Sequence, residues 1–404
     1  MLYTKKDVLQ YIEEEDVKFI RLAFCDAFGN QKNVAVISSE LEKAFENGVP
    51  FDASAVAGFS AKSDLLLFPD PATLSVLPWR PSHGKVVRFY CNIFYPDGTP
   101  YEYDGRALLK KAVEDAKREG VLCDFGAEFE FYLFKTNEDG IPTNIPYDHA
   151  GYLDIAPADK GENVRREICF TLEGMGITPE SSHHEAGPGQ NEVDFRSSDA
   201  LSAADNAVTF KSVVRTVAAR NGLYADFSPK PISNESGNGL HINILLRSSA
   251  NKRVDTEAFM AGIMKHIKEM TAFLNPVEES YKRLGEKGAP QYITWSHQNR
   301  SQLIRIPYVK GNYNKIELRS PDTCANPYIA YTLLLRAGLD GIKNKLKPTE
   351  AVDADINTSS QPVSESIEKL PTSLQEAVDY AAGSDFIKKY MPKNILDAYK
   401  IIER

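Results

Sequence analysis

The chain of 404 residues contains few cysteines and no long apolar run. None of its five cysteines has CxxC spacing, which argues against a zinc ribbon or a disulfide scaffold and favours buried thiols in a reducing compartment. No stretch of about 18 apolar residues is present, and the N-terminus lacks the apolar segment of a signal peptide. We therefore expect a cytoplasmic protein with no membrane partner.

Clusters of basic residues and phosphate-binding loops are also missing. The net charge is −9 and no run of Lys or Arg occurs, so we expect no nucleic-acid partner. There is no GxxxxGK[ST] motif and no kinase-type glycine-rich loop, so a nucleotide would have to be held by metals and arginines. The composition, with 42% hydrophobic and 25% charged residues, is typical of a globular protein without repeats.

The length predicts either one small and one large domain, or a large catalytic domain with an appended module. Residues 1 to about 100 form the predicted small unit. It contains a helix near 5–15 and a hairpin of strands near 19–25 and 34–37, and it closes at the turn-rich segment 96–100.

From residue 101 onward, strands alternate with long helices. Spacings of three and four predict helices near 105–120, 164–175 and 213–222, and Asn326 followed by Pro327 predicts the start of another. The polar segment 347–375 is expected to be loop. The pattern indicates an α+β or mixed α/β fold with a large, mostly antiparallel sheet.

Acidic residues recur inside these strand-like segments. Glu128 and Glu130 alternate with Phe129 and Phe131, so both carboxylates point to one face of a strand. A half-solvated edge strand would show the same alternation, and this segment alone does not separate the two readings.

A second segment repeats the pattern. Glu185 precedes a Gly- and Pro-containing turn at 187–190 that would bring it near Glu192 on the following strand. The adjacent His183 and His184 suggest zinc at first sight, but neighbours on a strand point to opposite faces, so at most one joins a given site. We interpret both histidines as structural.

A glycine-rich loop at 236–239 leads into a third strand that begins near His241 and carries Asn243 on the same face. A lone histidine is more often a satisfied core residue than a ligand. Here the flanking glycines permit close approach of a ligand, and we interpret His241 as part of a site.

The last segments add cations. Arg300 and Arg305 lie five residues apart, and Lys315, Glu317 and Arg319 share one strand face. Arginine forks suit phosphate and carboxylate oxygens, although these arginines are equally suited to pairing with the glutamates. Buried carboxylates are costly without a cation, and Mg²⁺ or Mn²⁺ is the expected partner. Carboxylates for metals beside arginines for anions indicate phosphoryl transfer.

Together these segments resemble the glutamine synthetase family in its bacterial type I form, in the family's order over residues of about 5 to 345. The resemblance rests on five groups of motifs: Gly126 to Phe131; His183-His184-Glu185 with Gly189 to Glu192; Lys230-Pro231 with Gly237 to His241; Asn299-Arg300-Ser301 with Arg305-Ile306-Pro307; and Glu317-Leu318-Arg319 with Asn326-Pro327-Tyr328.

The resemblance implies a β-grasp-like domain at residues 1–100 and an ATP- and glutamate-binding catalytic domain at 101–404. It implies a homo-oligomeric ring with active sites between subunits. It also implies an ATP-dependent glutamate–ammonia ligase of nitrogen metabolism, which phosphorylates the glutamate side chain and lets ammonia displace the phosphate.

By the same resemblance each site residue has an expected role. Glu130, Glu185 and Glu192 would hold one metal, and Glu128, His241 and Glu317 the nucleotide-side metal. Gly237, Arg283 and Arg319 would bind glutamate together with His241. Arg300 and Arg305 would stabilise the transferring phosphoryl group, with Lys315 and Arg305 near ATP. Asp52 would help to deprotonate ammonium, acting from the neighbouring subunit, although the family's Asp-Gly-Ser-Ser reads Asp-Ala-Ser-Ala here.

Three departures from the family pattern concern the acceptor, the assembly and the regulation. The flap over the site usually reads Glu-Ala-Pro, but this chain has Gly288-Ala289-Pro290, with Glu286 as a substitute carboxylate. A larger amine acceptor, as in γ-glutamylamide and γ-glutamylpolyamine synthetases, is therefore the alternative function. A catalytically weak regulatory member is a third.

The chain ends at Arg404, before the C-terminal helical extension of type I enzymes, so a single hexamer competes with a dodecamer. The adenylylation signature is missing, and we expect no control by adenylylation.

Overall fold

The computed structural model describes residues 3–60, 63–80, 83–248, 254–286, 288–307, 315–354 and 367–400. Within them the chain forms two sheets and eleven helices. The helices are α1 Lys5–Glu14, α2 Leu41–Asn47, α3 Gly105–Arg118, α4 Glu162–Gly174, α5 Ala200–Arg220, α6 Thr256–Leu274, α7 Glu278–Arg283, α8 Pro327–Asn344, α9 Leu374–Gly383, α10 Asp385–Tyr390 and α11 Lys393–Lys400. No helix in this part of the chain is long and apolar enough to cross a bilayer.

The first sheet is built from the N-terminal residues. Its strands are β1 Val17–Cys25, β2 Gln31–Ile37, β3 Val49–Phe51, β4 Leu65–Pro69, β5 Ser75–Val76 and β6 Lys85–Phe94. The order is β2-β1-β6-β4-β3, with β5 also on β6, and β1 runs parallel to β6. The sheet and α1 enclose a separate apolar core around Ile20, Leu22 and Phe89.

The second sheet carries the acidic residues. Its strands are β7 Val121–Thr136, β8 Pro142–Pro146, β9 Pro179–His184, β10 Gln190–Asp199, β11 Leu223–Asp226, β12 Leu240–Ser248, β13 Trp295–Ser296, β14 Ile304–Arg305 and β15 Lys315–Leu318. The order is β13-β14-β15-β12-β7-β10-β9, with β8 and β11 on β7. All pairs are antiparallel except β13 with β14, so the predicted antiparallel sheet is confirmed.

One face of β7 forms the core. Phe125, Phe129 and Phe131 are buried there, and the ring of Phe129 stacks on Phe210 of α5 with centroids 4.9 Å apart. The period-two pattern then leaves the opposite face to Glu128 and Glu130. The edge-strand alternative is wrong, because β7 lies between β12 and β10.

Local sequence explains most helix limits. Asn326 caps α8 by accepting a 3.0 Å hydrogen bond from the Tyr328 N–H, and Pro327 occupies the first turn, as predicted. Helices α6 and α8 approach closely, since a Cβ built on Gly262 would lie 2.1 Å from the Ala337 carbonyl oxygen. Helix α5 begins at Ala200, well before the predicted 213–222, because Asp199 caps it through the Ser202 N–H.

The segment 347–354 is loop as predicted, α9 begins at Leu374, and 355–366 lie outside the described residues.

Candidate functional site

Strand register determines which acidic residues meet. On the exposed face of β7, Glu128 lies opposite His241 of β12 and Asp194 of β10. Two residues further along β7, Glu130 lies opposite Glu192. The site is therefore built on neighbouring positions of a continuous antiparallel ladder.

Glu128, His241 and Glu317 bring one ligand atom each within 4.8 Å of one another. This is the set expected at the nucleotide-side metal. Asn243 donates a 2.7 Å hydrogen bond to Glu128 Oε1, and the His241 ring lies 3.3 Å from Glu128 Oε2. Burial raises the pKa of Glu128, but the hydrogen bond and charge of His241 outweigh it, and the pKa falls to about 2.

The second expected set is distributed over two overlapping clusters. Glu192 groups with Glu130 and His241 in one, and with His183 and Glu185 in the other. Glu130 Oε2 also accepts a 2.6 Å hydrogen bond from the Gly239 N–H. Glu192 is thus the residue that joins the two halves of the set.

Burial and repulsion between carboxylates shift the pKa values of the glutamates in this second region. Burial and the neighbouring Glu130 raise the pKa of Glu192 to about 8, against the hydrogen bond from His183. Burial and Glu130 likewise raise the pKa of Glu185. Asp194 Oδ1 is a buried oxygen without a hydrogen-bond partner in the described residues. Oxygen-rich, mutually repelling ligands with spare acceptor atoms suit a hard divalent cation.

The two adjacent histidines point to opposite faces, as expected, but only one is remote from the site. His184 is buried and its Nε2 lies 2.8 Å from Asp148 Oδ1. His183 lies 3.2 Å from Glu192 and 3.5 Å from Glu185. The interpretation of His183 as purely structural missed this contact; its position two residues before Glu185 was the available signal.

Two of the predicted arginines bind the carboxylate of Glu317. Arg305 of β14 donates a 2.6 Å hydrogen bond to Glu317 Oε2, and Arg319 binds the other oxygen of the same carboxylate. Salt bridging to the glutamates is therefore confirmed for these two. Arg300 is exposed, and its backbone oxygen accepts a 2.8 Å hydrogen bond from Arg319 Nε.

Arg283, at the end of α7, is buried beside the glycine-rich loop. Its guanidinium donates to the backbone oxygens of Ser320 at 2.8 Å and Arg319 at 3.3 Å. A Cβ on Gly239 would lie 2.7 Å from its Nη2, and one on Gly237 would lie 2.9 Å from its Cγ. A side chain at Gly239 would also crowd His241, 3.0 Å from the built Cβ, and one at Gly237 would meet the Pro229 carbonyl oxygen at 2.5 Å, so either substitution would force a shift around Arg283.

The remaining expected residues lie at the margin. Lys315 is half-buried on β15, and its charge helps to lower the pKa of Glu128. Asp52 is exposed on the N-terminal unit, where hydrogen bonds from Ser54 lower the pKa of its carboxyl group. Within the described residues it contacts no member of the acidic clusters.

In the flap segment, Gly288 stands where the family usually has glutamate, and the carboxylate lies at Glu286. Gly288 adopts a φ of +87°, and its carbonyl oxygen accepts a 3.4 Å hydrogen bond from Arg319. Glu286 pairs instead with Lys230, whose ammonium also donates to the Glu235 carbonyl at 2.7 Å. The carboxylate of Glu286 is thus paired with a cation and belongs to none of the acidic clusters found among the described residues.

Comparison with known proteins agrees with this geometry. The family model for the glutamine synthetase catalytic domain matches residues 102–404, and that for the glutamine synthetase beta-Grasp domain matches 16–96. The chain is 46% identical to a glutamine synthetase of Methanosarcina mazei, covering 98% of this chain and 92% of the relative. It is 45% identical to one of Clostridium saccharobutylicum, covering 98% and 93%.

Solved structures show the same fold. A GmaS structure in complex with ADP superposes with a TM-score of 0.89 at 30% identity, covering 98% of this chain and 94% of that one. A Plasmodium falciparum glutamine synthetase, solved by cryo-electron microscopy, superposes with a TM-score of 0.86 at 24% identity, covering 99% and 95%. The chain belongs to the glutamine synthetase family, which is ATP-dependent and uses a divalent metal, and the names of its curated relatives indicate a glutamate–ammonia ligase.

Proposed function

We propose that this chain makes glutamine from glutamate, ammonia and ATP through γ-glutamyl phosphate, at the acidic clusters on the large sheet. The observation that carries the proposal is the convergence of Glu128, His241 and Glu317 from three neighbouring strands next to Arg305 and Arg319. A protein that used only the scaffold would gain nothing from burying this charge.

The residues present fit divalent metals, which we propose to be Mg²⁺ or Mn²⁺. Glu128, His241 and Glu317 would hold the ion nearest the nucleotide, and Glu130, Glu185 and Glu192 the other. Such ions neutralise phosphate charge and polarise the transferring group. The geometric support is the mutual approach of Glu128, His241 and Glu317 and the approach of Glu192 to Glu130 and, in a separate cluster, to Glu185. An Asp194 oxygen without a hydrogen-bond partner among the described residues adds to it.

The cationic side chains have separate proposed tasks. Arg283, fixed by two backbone carbonyls, would bind the glutamate carboxylates together with Gly237, Arg319 and His241. Arg300 is exposed, and the buried Nε of Arg305 has no hydrogen-bond partner among the described residues, so both have donors available for phosphate oxygens. Lys315 would approach the nucleotide.

We propose that Asp52 serves the site of a neighbouring subunit. It is exposed and, within the described residues, contacts none of the acidic clusters of its own chain, and its lowered pKa keeps it ionised for attracting ammonium. Such a role requires a homo-oligomer. Exposed apolar residues just before, on and after β8 support one, namely Ile141, Ile145, Tyr152, Leu153 and Ile155.

Two further assignments complete the proposal. The chain would divide near residue 100 into a β-grasp-like unit and a catalytic unit, since the two sheets enclose separate cores. A reducing cytoplasm would suit the thiols of Cys91 and Cys123, which are buried and form no disulfide.

Gly288 is the specific observation that favours a second candidate, ligation of glutamate to an organic amine. The missing flap carboxylate removes a charge suited to ammonium, and Glu286 is engaged by Lys230. Phosphate release should be measured with ATP, glutamate and Mg²⁺, adding ammonium, methylamine, ethanolamine or putrescine in turn, with glutamate omitted as the control. Ammonium-dependent release supports glutamine synthesis. Release only with an organic amine assigns the second function, and no release with any acceptor contradicts both.

A further inference from the structure

A buried histidine–carboxylate pair adjoins the turn that connects β9 to β10, and it has no role in the function proposed above. His184, the last residue of β9, is 0% exposed, and its Nε2 lies 2.8 Å from Oδ1 of Asp148, which is also buried. Its Nδ1 lies 2.6 Å from the backbone oxygen of Glu185. Both oxygens accept hydrogen bonds, so each ring nitrogen donates one. The imidazole ring therefore links the backbone of Glu185 to Asp148.

Asp148 holds the same turn at a second point. Its Oδ1 also accepts a 3.0 Å hydrogen bond from the Gly189 N–H, and its Oδ2 accepts one of 2.9 Å from the Lys160 N–H. Burial raises the pKa of Asp148, but the hydrogen bonds from His184 and Lys160 outweigh that effect and lower the pKa to about 2, so the carboxylate is ionised at neutral pH. One buried carboxylate thus fixes the start of the turn through His184 and its end through Gly189.

The carboxylate of Glu185 has little else to hold it in place. It accepts a 3.1 Å hydrogen bond from the Ala186 N–H and lies 3.5 Å from His183, and no lysine or arginine of the described residues pairs with it. Burial and the charge of Glu130 raise its pKa, because the two carboxylates repel each other. This repulsion favours any backbone movement that separates them. The position of Glu185 therefore depends on the turn that carries it.

Stability alone does not explain why a charged pair is buried at this turn. Replacing a buried ion pair by apolar side chains of similar size is often neutral or stabilising, so such a pair is weak evidence of a contribution to folding. Two of the hydrogen bonds made by Asp148 and His184 end on the turn, one on Glu185 itself and one on Gly189. The pair is thus placed to orient Glu185 as well as to fill space.

We infer that Asp148 and His184 are positioning residues, which hold Glu185 where it can bind the second metal together with Glu130 and Glu192. This inference rests on the metal role proposed above for Glu185. Residues that orient metal ligands from outside typically change metal affinity by about 10–100-fold. The nucleotide-side set comes from other strands, and no hydrogen bond of the pair reaches it among the described residues, so that set should keep its affinity.

Binding of Mn²⁺ to the full-length protein without nucleotide tests the inference, with free Mn²⁺ measured by electron paramagnetic resonance. We expect the unmodified protein to bind Mn²⁺ at two classes of site. His184→Gln should weaken one class by about tenfold or more and leave the other within about twofold, because only the set containing Glu185 loses its support. The Mn²⁺ concentration that gives half-maximal phosphate release should rise by a similar factor. General destabilisation of the fold would not separate the two classes.

A second buried histidine provides the matched control. His266 is 6% exposed and its ring lies 2.7 Å from Glu269 and 3.0 Å from Asp340, but it belongs to none of the acidic clusters of the described residues. His266→Gln should therefore lower stability in urea denaturation and leave Mn²⁺ binding unchanged. If His184→Gln does not fold, Asp148→Asn replaces it, because asparagine keeps an acceptor oxygen and removes only the charge. Unchanged Mn²⁺ binding in the folded variant of the pair, or equal weakening in His266→Gln, overturns the inference.

Failure of the positioning role is distinguishable from failure of the proposed function. An unmodified protein that binds no Mn²⁺ refutes the proposed metal site, and the positioning role with it. Normal Mn²⁺ binding in the unmodified protein that is identical in His184→Gln refutes the positioning role alone.

Discussion

Replacement of Glu317 by glutamine tests the core of the proposed site. Glu317 is 1% exposed and each of its carboxylate oxygens is bound by an arginine, Arg305 or Arg319. Glutamine keeps the shape of the side chain but removes its negative charge, so one metal ligand is weakened and two guanidiniums lose their partner.

Two magnitudes follow from this geometry. Leaving buried charge unpaired costs about 3–5 kcal/mol in unfolding free energy. Losing one preorganised electrostatic contact to a reacting group lowers turnover by about 10²–10³-fold. The metal concentration that gives half-maximal rate should also rise, by about tenfold or more, because a ligand of the proposed nucleotide-side ion is lost.

The assay is the initial rate of phosphate release with ATP, glutamate and ammonium over a Mg²⁺ titration, after circular dichroism has shown that the variant is folded at the assay temperature. Asp124→Asn is the control, since Asp124 lies on β7 but pairs with Arg247. The metal assignment is refuted if Glu317→Gln keeps a rate within threefold of the unmodified enzyme and an unchanged metal dependence.

Three further predictions concern other parts of the chain. Gly239→Ala should raise the KM for glutamate at least tenfold, because its Cβ would lie 2.7 Å from Arg283 Nη2; an unchanged KM would remove Arg283 from the glutamate site. Gly288→Glu should lower the KM for ammonium and leave that for ATP unchanged if ammonia is the acceptor. The built Cβ meets no atom of the described residues within 4 Å, although the φ of +87° costs roughly 1–2 kcal/mol. A KM for ammonium that does not fall argues against ammonia. Burial raises the pKa of Asp104 from 3.8 to about 6, so the folded state retains a proton that the unfolded chain releases, and the unfolding free energy should fall by about 2 kcal/mol between pH 4 and 7. Urea denaturation at both pH values should show that the unfolding free energy of Asp104→Asn lacks this decrease. An equal decrease in the variant and the unmodified protein would show that Asp104 is not its source.

The alternation of residues along each strand was readable without coordinates. Period two placed Glu128 and Glu130 opposite Phe129 and Phe131, and the structure confirms that face assignment. Helix limits with a strong cap, such as Asn326-Pro327, were equally accessible. These features depend on residues that are neighbours in the chain, so local geometry determines them.

The sequence also predicted that His183 and His184 point to opposite faces, but not which of them faces the carboxylates. That depends on the register between β9 and β10, which sets His183 opposite Glu192. The reach of Glu286 was equally inaccessible, because its partner Lys230 lies 56 residues earlier in the chain. Pairing between distant segments is decided by packing of the whole sheet.

By itself, the amino-acid sequence determined the two-part organisation we expect, the strand faces and the residue types suited to metals and phosphate. Only the tertiary structure decided which glutamate meets which histidine and that Arg305 and Arg319 share Glu317. The physical reason is that strand register and helix packing join segments that are tens to hundreds of residues apart, and no local pattern records those distances.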